Sequence, residues 1–199
     1  PGIGGDYIAQ IHIEGVMEDD ADRDKMMKEI LEDNHAKALL VQFDSPGGTT
    51  FGGEVIYLQL QQIAKKKPVV GVMHTLCASA CFMASLGTDY VVAREGTLTG
   101  SIGVLLQSVE VSRLADKLGI TPITIKSGAM KDVPSLGEPF TEEQRKIVAE
   151  VTTVLSSLLT SILDSIGWSA TLRDLDTAVQ TCERFWQYRS NPLAALRAA

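Results

Sequence analysis

The feature that most constrains this chain is a short apolar run, Lys37–Phe43 (KALLVQF), that stops at Asp44-Ser45-Pro46-Gly47-Gly48 and gives way to a helical pattern. A run of this length suits a strand buried on both faces, the usual condition of strands in a parallel sheet. A helix is expected from about Gly53 to Lys66, where Val55, Ile56, Leu60 and Ile63 recur at helical spacing. The unit then repeats. Pro68–Met73 reads as a strand, Ala78–Leu86 as a helix and Tyr90–Ala93 as a strand. Val109–Leu118 reads as a helix closed by Gly119, and Thr121–Lys126 as a further strand. Upstream, Tyr7–Ile13 alternates with period two, and Asp20 to Asp33 is a charged helix whose apolar stripe is Met26, Met27, Ile30 and Leu31. Strands alternating with helices imply an α/β fold with crossover connections.

Ser127–Phe140 is a long polar loop, after which Thr141-Glu142-Glu143-Gln144 has the pattern of a capping box and opens a long helix to about Ile166. No linker-like shift in composition occurs before about residue 165, so residues 1–166 are expected to form one domain. Residues 167–199 differ. They are rich in Arg, Ala and Thr, hold both tryptophans and show no strong period, which suits a divergent tail, helical or disordered.

The 199 residues are 45% hydrophobic and 22% charged, enough for a packed core under a soluble surface. A net charge of −7 argues against nucleic acid as partner, since phosphate binding needs clustered Lys and Arg. The one basic run, Lys65-Lys66-Lys67, reads as the solvated end of a helix. Cys77, Cys81 and Cys182 are too few for a disulfide scaffold and lack the spacing of a zinc site; they read as buried free thiols. The stretch from Pro68 to Thr88 carries no charge, but His74, Thr75, Ser79 and Ser85 interrupt it, and it reads as strand and helix rather than a membrane span. The chain opens on Pro1 without a leader pattern, so targeting is not legible from its start.

Two glycine turns and one serine carry the chemistry. Adjacent glycines at Gly47 and Gly48 let backbone N–H groups face open space, and two such groups aimed at one point stabilise a tetrahedral oxyanion. The same turn is equally explained as a tight strand-to-helix connection. Ser79 falls where a strand ends and a helix begins, a place that suits a nucleophile and suits an N-cap as well. A serine hydroxyl needs an adjacent base. The histidines are His12, His35 and His74, and none sits in a glycine-rich catalytic turn. The other candidate base is a lysine whose neutral amine is favoured by desolvation.

These segments, in this order, resemble the signal peptide peptidase A family, serine peptidases of the Ser–Lys type with a Clp-protease/crotonase-like fold of repeated β-β-α units and, here, a long C-terminal helix. The resemblance runs from Tyr7 to about Ile162. Asp44-Ser45-Pro46-Gly47-Gly48 resembles the family's oxyanion turn, and Ala78-Ser79 its nucleophile segment. Thr99-Gly100-Ser101-Ile102-Gly103-Val104 resembles its glycine loop, and Lys126-Ser127-Gly128-Ala129-Met130-Lys131-Asp132 the segment carrying its base.

The resemblance implies Ser79 as nucleophile, Lys131 as general base and Ser101 as the hydroxyl that orients it. It implies an oxyanion hole from the N–H groups of Gly48 or Gly47 and of Ser79. A carboxylate touching the base would raise the lysine pKa, which is wrong for a base, so Asp132 reads as a loop-structuring residue. The resemblance implies peptide or remnant signal-peptide substrates, no cofactor and no metal. It further implies a homo-oligomer with active sites that neighbouring subunits can share, an N-terminal membrane anchor outside this chain, and an extracytoplasmic catalytic domain. The apolar stripe Val148, Val151, Leu155, Leu158, Leu159 and Ile162 suits either an oligomer surface or a cover for the sheet.

The chain departs from the family in two places. Ala80 and Cys81 stand where two glycines usually follow the nucleophile, and residues 167–199 lack the usual Gly-Arg pair and Gly-Leu-Val run. A crotonase-like acyl-CoA enzyme and a non-catalytic scaffold are the rival readings.

Overall fold

A computed structural model of the chain describes residues 5–128 and 130–165. The expectations for residues 167–199, Cys182 included, lie outside the described residues. The described residues fall into two compact units: one of residues 5–102 and 162–165, and the other Gly103–Ser161.

The first unit is built on a parallel sheet. Its strands are β1 (Tyr7–Met17), β2 (Ala36–Gly48), β3 (Val69–Ala78) and β4 (Tyr90–Val92), side by side in that order, with β5 (Leu98–Gly100) pairing the far end of β3. Every pairing is parallel. The helices α1 (Ala21–Glu32), α2 (Thr50–Ala64) and α3 (Ala80–Ser85) follow β1, β2 and β3, so the α/β fold expected from the pattern is present. Ile11 and Ile13, then Leu39, Val41 and Phe43, then Val69 and Met73 form one buried face of the sheet. Ile56, Leu60 and Ile63 of α2 and Met27 and Ile30 of α1 are buried with them. Leu40 and Gln42, on the opposite side of the pleat, are only half-buried, so β2 is less enclosed than its composition suggests.

Local chemistry fixes the helix starts. The Asp20 carboxylate accepts from the N–H groups of Asp22 and Arg23, and the Thr49 hydroxyl from that of Gly52. The basic run has a more specific task than a solvated helix end. The Lys67 ammonium donates to the Ile30 and Asp33 carbonyls at 2.6 and 2.8 Å, closing the C-terminus of α1.

The second unit contains α4 (Ser112–Lys117) and most of the long helix α5 (Glu142–Ser165). The capping box is made: the Thr141 N–H donates to Gln144 Oε1, and the Gln144 N–H to Thr141 Oγ1. Thr121–Lys126 does not form the expected strand. No neighbouring strand pairs with it among the described residues, and Ile123 and Ile125 are exposed rather than half-buried. No described side chain of this unit is buried. Leu105, Leu114, Leu118, Val151, Val154 and Leu155 are all exposed, whereas Ile162 and Leu163, at the end of α5, are buried. By length and composition alone, α5 is apolar enough to cross a membrane.

Candidate active site

The glycine turn is not a loop after the strand but its continuation. β1 stays paired with β2 through Val16–Gly47 and Met17–Gly48, after a break in register between Glu14 and Val16. On the other side β2 breaks register with β3 between Phe43 and Ser45, so Ser45 comes opposite Cys77. These paired shifts bring the turn against the nucleophile segment. Gly47 has φ +101, and a Cβ there would lie 2.7 Å from the Ala78 carbonyl, 2.9 Å from Ser79 Cβ and 3.0 Å from the Ala80 nitrogen. Only glycine allows this approach. A Cβ on Gly48 would lie 2.0 Å from the Met17 carbonyl oxygen.

Ser79 joins β3 to α3 at φ 55, ψ −120, a conformation that side-chain-bearing residues rarely adopt. It occupies the N-cap position, yet its side chain makes no capping hydrogen bond. The N-cap explanation therefore fails, and the hydroxyl of this half-buried residue is left for other work. The backbone holds the strained turn from both sides. The Ser79 N–H donates to the Gly100 carbonyl at 2.8 Å, and the Ser79 carbonyl accepts from the Met83 N–H at 3.0 Å. Ala80 and Cys81 are buried beneath the turn. Contact with the Cys81 thiol, and then burial, push the Cys77 thiol well above the ordinary cysteine range.

The Gly47 N–H donates to Ser45 Oγ at 3.0 Å and the Ser79 N–H to the Gly100 carbonyl at 2.8 Å. Ala80 opens α3, and the N–H of a first helical residue has no acceptor within its own helix. Its nitrogen lies beside Gly47 and Ser79, a placement that depends on where the helix starts. Ser101 directly follows Gly100, is exposed and has φ 53. Gly47, Ser79 and the Gly100-Ser101 pair thus belong together in the first unit.

Lys131 lies in the second unit, exposed, in a turn where its N–H donates to the Gly128 carbonyl at 3.1 Å; Asp132 follows at φ 73. Lys126, the other lysine of this segment, is committed to an ion pair with Glu138. Of the histidines, His12 faces Glu14 at 3.4 Å and His35 faces Asp6 at 3.6 Å, while His74 is exposed on β3. Among the described residues no three His, Cys, Asp or Glu side chains converge as metal ligands.

Comparison with known proteins gives these features a context. The model of peptidase family S49 matches residues 61–157, a span that includes Ser79, Ser101 and Lys131. A putative protease of Methanocaldococcus jannaschii, MJ0651, is 33% identical over 150 residues, covering 75% of this chain and 46% of its own length. A putative signal peptide peptidase SppA of Enterococcus faecium is 37% identical over 125 residues, covering 62% of this chain and 36% of its own. The chain therefore spans half or less of the length of these two relatives. Among solved structures, a mutant of the 1510-N membrane-bound stomatin-specific protease in complex with a substrate peptide is similar at a TM-score of 0.45. It has 24% identity and covers 52% of this chain and 48% of its own. The similarity to peptidase family S49 spans residues 61–157, just under half of the chain.

Proposed function

We propose that this chain is the catalytic core of a serine endopeptidase that cleaves peptides such as remnant signal peptides through a Ser–Lys dyad and an acyl-enzyme. The observation that carries the reading is Ser79: a non-glycine residue held at φ 55, free of any capping role, with Gly47 pressed against it. Strain of this kind persists where the surroundings over-determine it, and a sharp strand-to-helix turn is how a nucleophilic hydroxyl is presented.

In this reading Lys131, as the neutral amine, takes the Ser79 Oγ proton while Oγ attacks the scissile carbonyl. The tetrahedral oxyanion rests on the Ala80 N–H and on the Gly48 side of the glycine turn. Collapse breaks the C–N bond, and the lysine returns its proton to the leaving amine. Water, deprotonated by the same lysine, then releases the acyl group and restores Ser79. Ser101 orients the lysine amine, and no cofactor enters the scheme.

The second unit supports a partner. A unit of this size with no buried side chain among its described residues gains a core only by covering its apolar surface. We assign that cover to further copies of the chain, in a homo-oligomer where Ser79 and Lys131 of one site can come from neighbouring subunits. Membrane anchoring and an extracytoplasmic catalytic domain complete the proposal.

A fluorophosphonate probe tests the reading. The protein should be labelled at Ser79, and Ser79→Ala and Lys131→Met should each lose labelling and peptide hydrolysis by at least about 100-fold. Lys126→Met should keep both. Labelling that survives Ser79→Ala, or loss with Lys126→Met but not Lys131→Met, would reject the assignment.

A further inference from the structure

We infer that Ser45 is a positioning residue for the nucleophile turn, its buried hydroxyl tying the bulge of β1 to the Gly47 N–H and so holding Gly47 against Ser79. The inference rests on the reading of Ser79 as nucleophile.

Ser45 is fully buried, one of two polar residues in the described core. Its hydroxyl has one proton and gives it to the Gly15 carbonyl at 2.6 Å, while a lone pair accepts the Gly47 N–H at 3.0 Å. Gly15 has φ +69 and occupies the break in register between β1 and β2. At the same level β2 also slips against β3. A ladder broken on both flanks leaves backbone groups without strand partners, and buried groups of that kind are costly. The Ser45 hydroxyl supplies an acceptor to one of them and a donor to another.

The effect reaches the site through Gly47. Its N–H direction is set by Ser45, and its Cα lies where an added Cβ would meet Ala78, Ser79 and Ala80 at 3.0 Å or less. There is no slack in that contact. If the Gly47 N–H loses its acceptor, the peptide turns to find another, and the turn under Ser79 and the Ala80 N–H moves with it. A displacement of about 1 Å at a reacting centre costs up to about 100-fold in rate. Ser45 touches neither substrate nor Ser79 Oγ in this account.

The experiment compares Ser45→Ala, Ser45→Cys and Ser45→Thr in the full chain, well below each variant's Tm. It reads the fluorophosphonate labelling rate together with kcat and KM on a peptide substrate. Ser45→Ala is expected to lower the labelling rate and kcat by about 10- to 100-fold with KM within about threefold. Ser45→Thr, which keeps the hydroxyl, should recover most of the loss. Should Ser45→Ala not fold, Ser45→Cys is read in its place, since it keeps the side-chain shape with a much weaker donor and acceptor. A folded Ser45→Ala or Ser45→Cys with wild-type labelling and kcat overturns the inference, as does a rise in KM alone. Wild-type protein that is not labelled at Ser79 fails the underlying reading instead and takes this inference with it.

Discussion

Replacing Ser79 by glycine should abolish activity and yet make the protein more stable than replacing it by alanine. Both substitutions remove the hydroxyl, so their difference isolates the Cβ on a backbone at φ 55, ψ −120. Holding a side-chain-bearing residue in such a region costs about 1–3 kcal/mol. Glycine removes that strain, and gives back about 0.5–1 kcal/mol through the greater freedom of the unfolded chain. The balance favours Ser79→Gly over Ser79→Ala by about 1 kcal/mol, or about 2–4 °C in Tm for a chain of this length. Thermal unfolding followed by circular dichroism, at matched protein concentrations, measures it directly, and because both variants lack the hydroxyl no difference in it enters the comparison. A Tm for Ser79→Ala equal to or above that of Ser79→Gly would refute the claim that Ser79 is strained. The result would mark a site where stability is given up for function.

Gly47→Ala should be the reverse case: with φ +101 and backbone atoms 2.7–3.0 Å from the added Cβ, it should lower Tm by several degrees and sharply reduce fluorophosphonate labelling. Gly96→Ala, with nothing within 4 Å, should leave both within error, and equal behaviour of the two variants would contradict the packing. The N-cap carboxyl of Asp20 is held below the usual carboxylate range, chiefly by the Arg23 N–H, so its stabilisation is full above about pH 4 and lost as pH falls through its folded value. Asp20→Ala should therefore lower Tm at pH 7, and the gap to wild type should shrink towards pH 3; a gap independent of pH would count against the cap. Cys77 and Cys81, buried and with the Cys77 thiol held protonated, should resist N-ethylmaleimide at pH 8 until the chain is denatured, as read by peptide mass mapping. Rapid modification of either in the native protein would show that α3 does not seal β3.

The sequence alone determined what depends on neighbours a few residues apart. The alternating strand at Tyr7, the apolar run ending in the glycine turn, the Thr141–Gln144 capping box and the serine at a strand-to-helix boundary are local patterns, and the structure contains each of them. Local pattern misled at Thr121–Lys126, where Ile123 and Ile125 alternate with polar residues but the segment met no partner strand among the described residues. Pairing is not encoded in the segment that pairs.

Only the tertiary structure decided the rest, because each deciding contact joins segments far apart in the chain. Gly47 and Gly48 lie inside β2 because β1, about thirty residues earlier, continues to pair with them. The Ser79 N–H donates to the Gly100 carbonyl because β5 pairs with the end of β3 and brings Gly100 beside it. Ser45 looked like one residue of a turn until two breaks in register placed it between Gly15 and Gly47. Lys126 is paired with Glu138, a contact that its own segment does not announce. A residue's type sets the chemistry it can offer; the register and hydrogen bonds of distant segments set whether that chemistry is already spent.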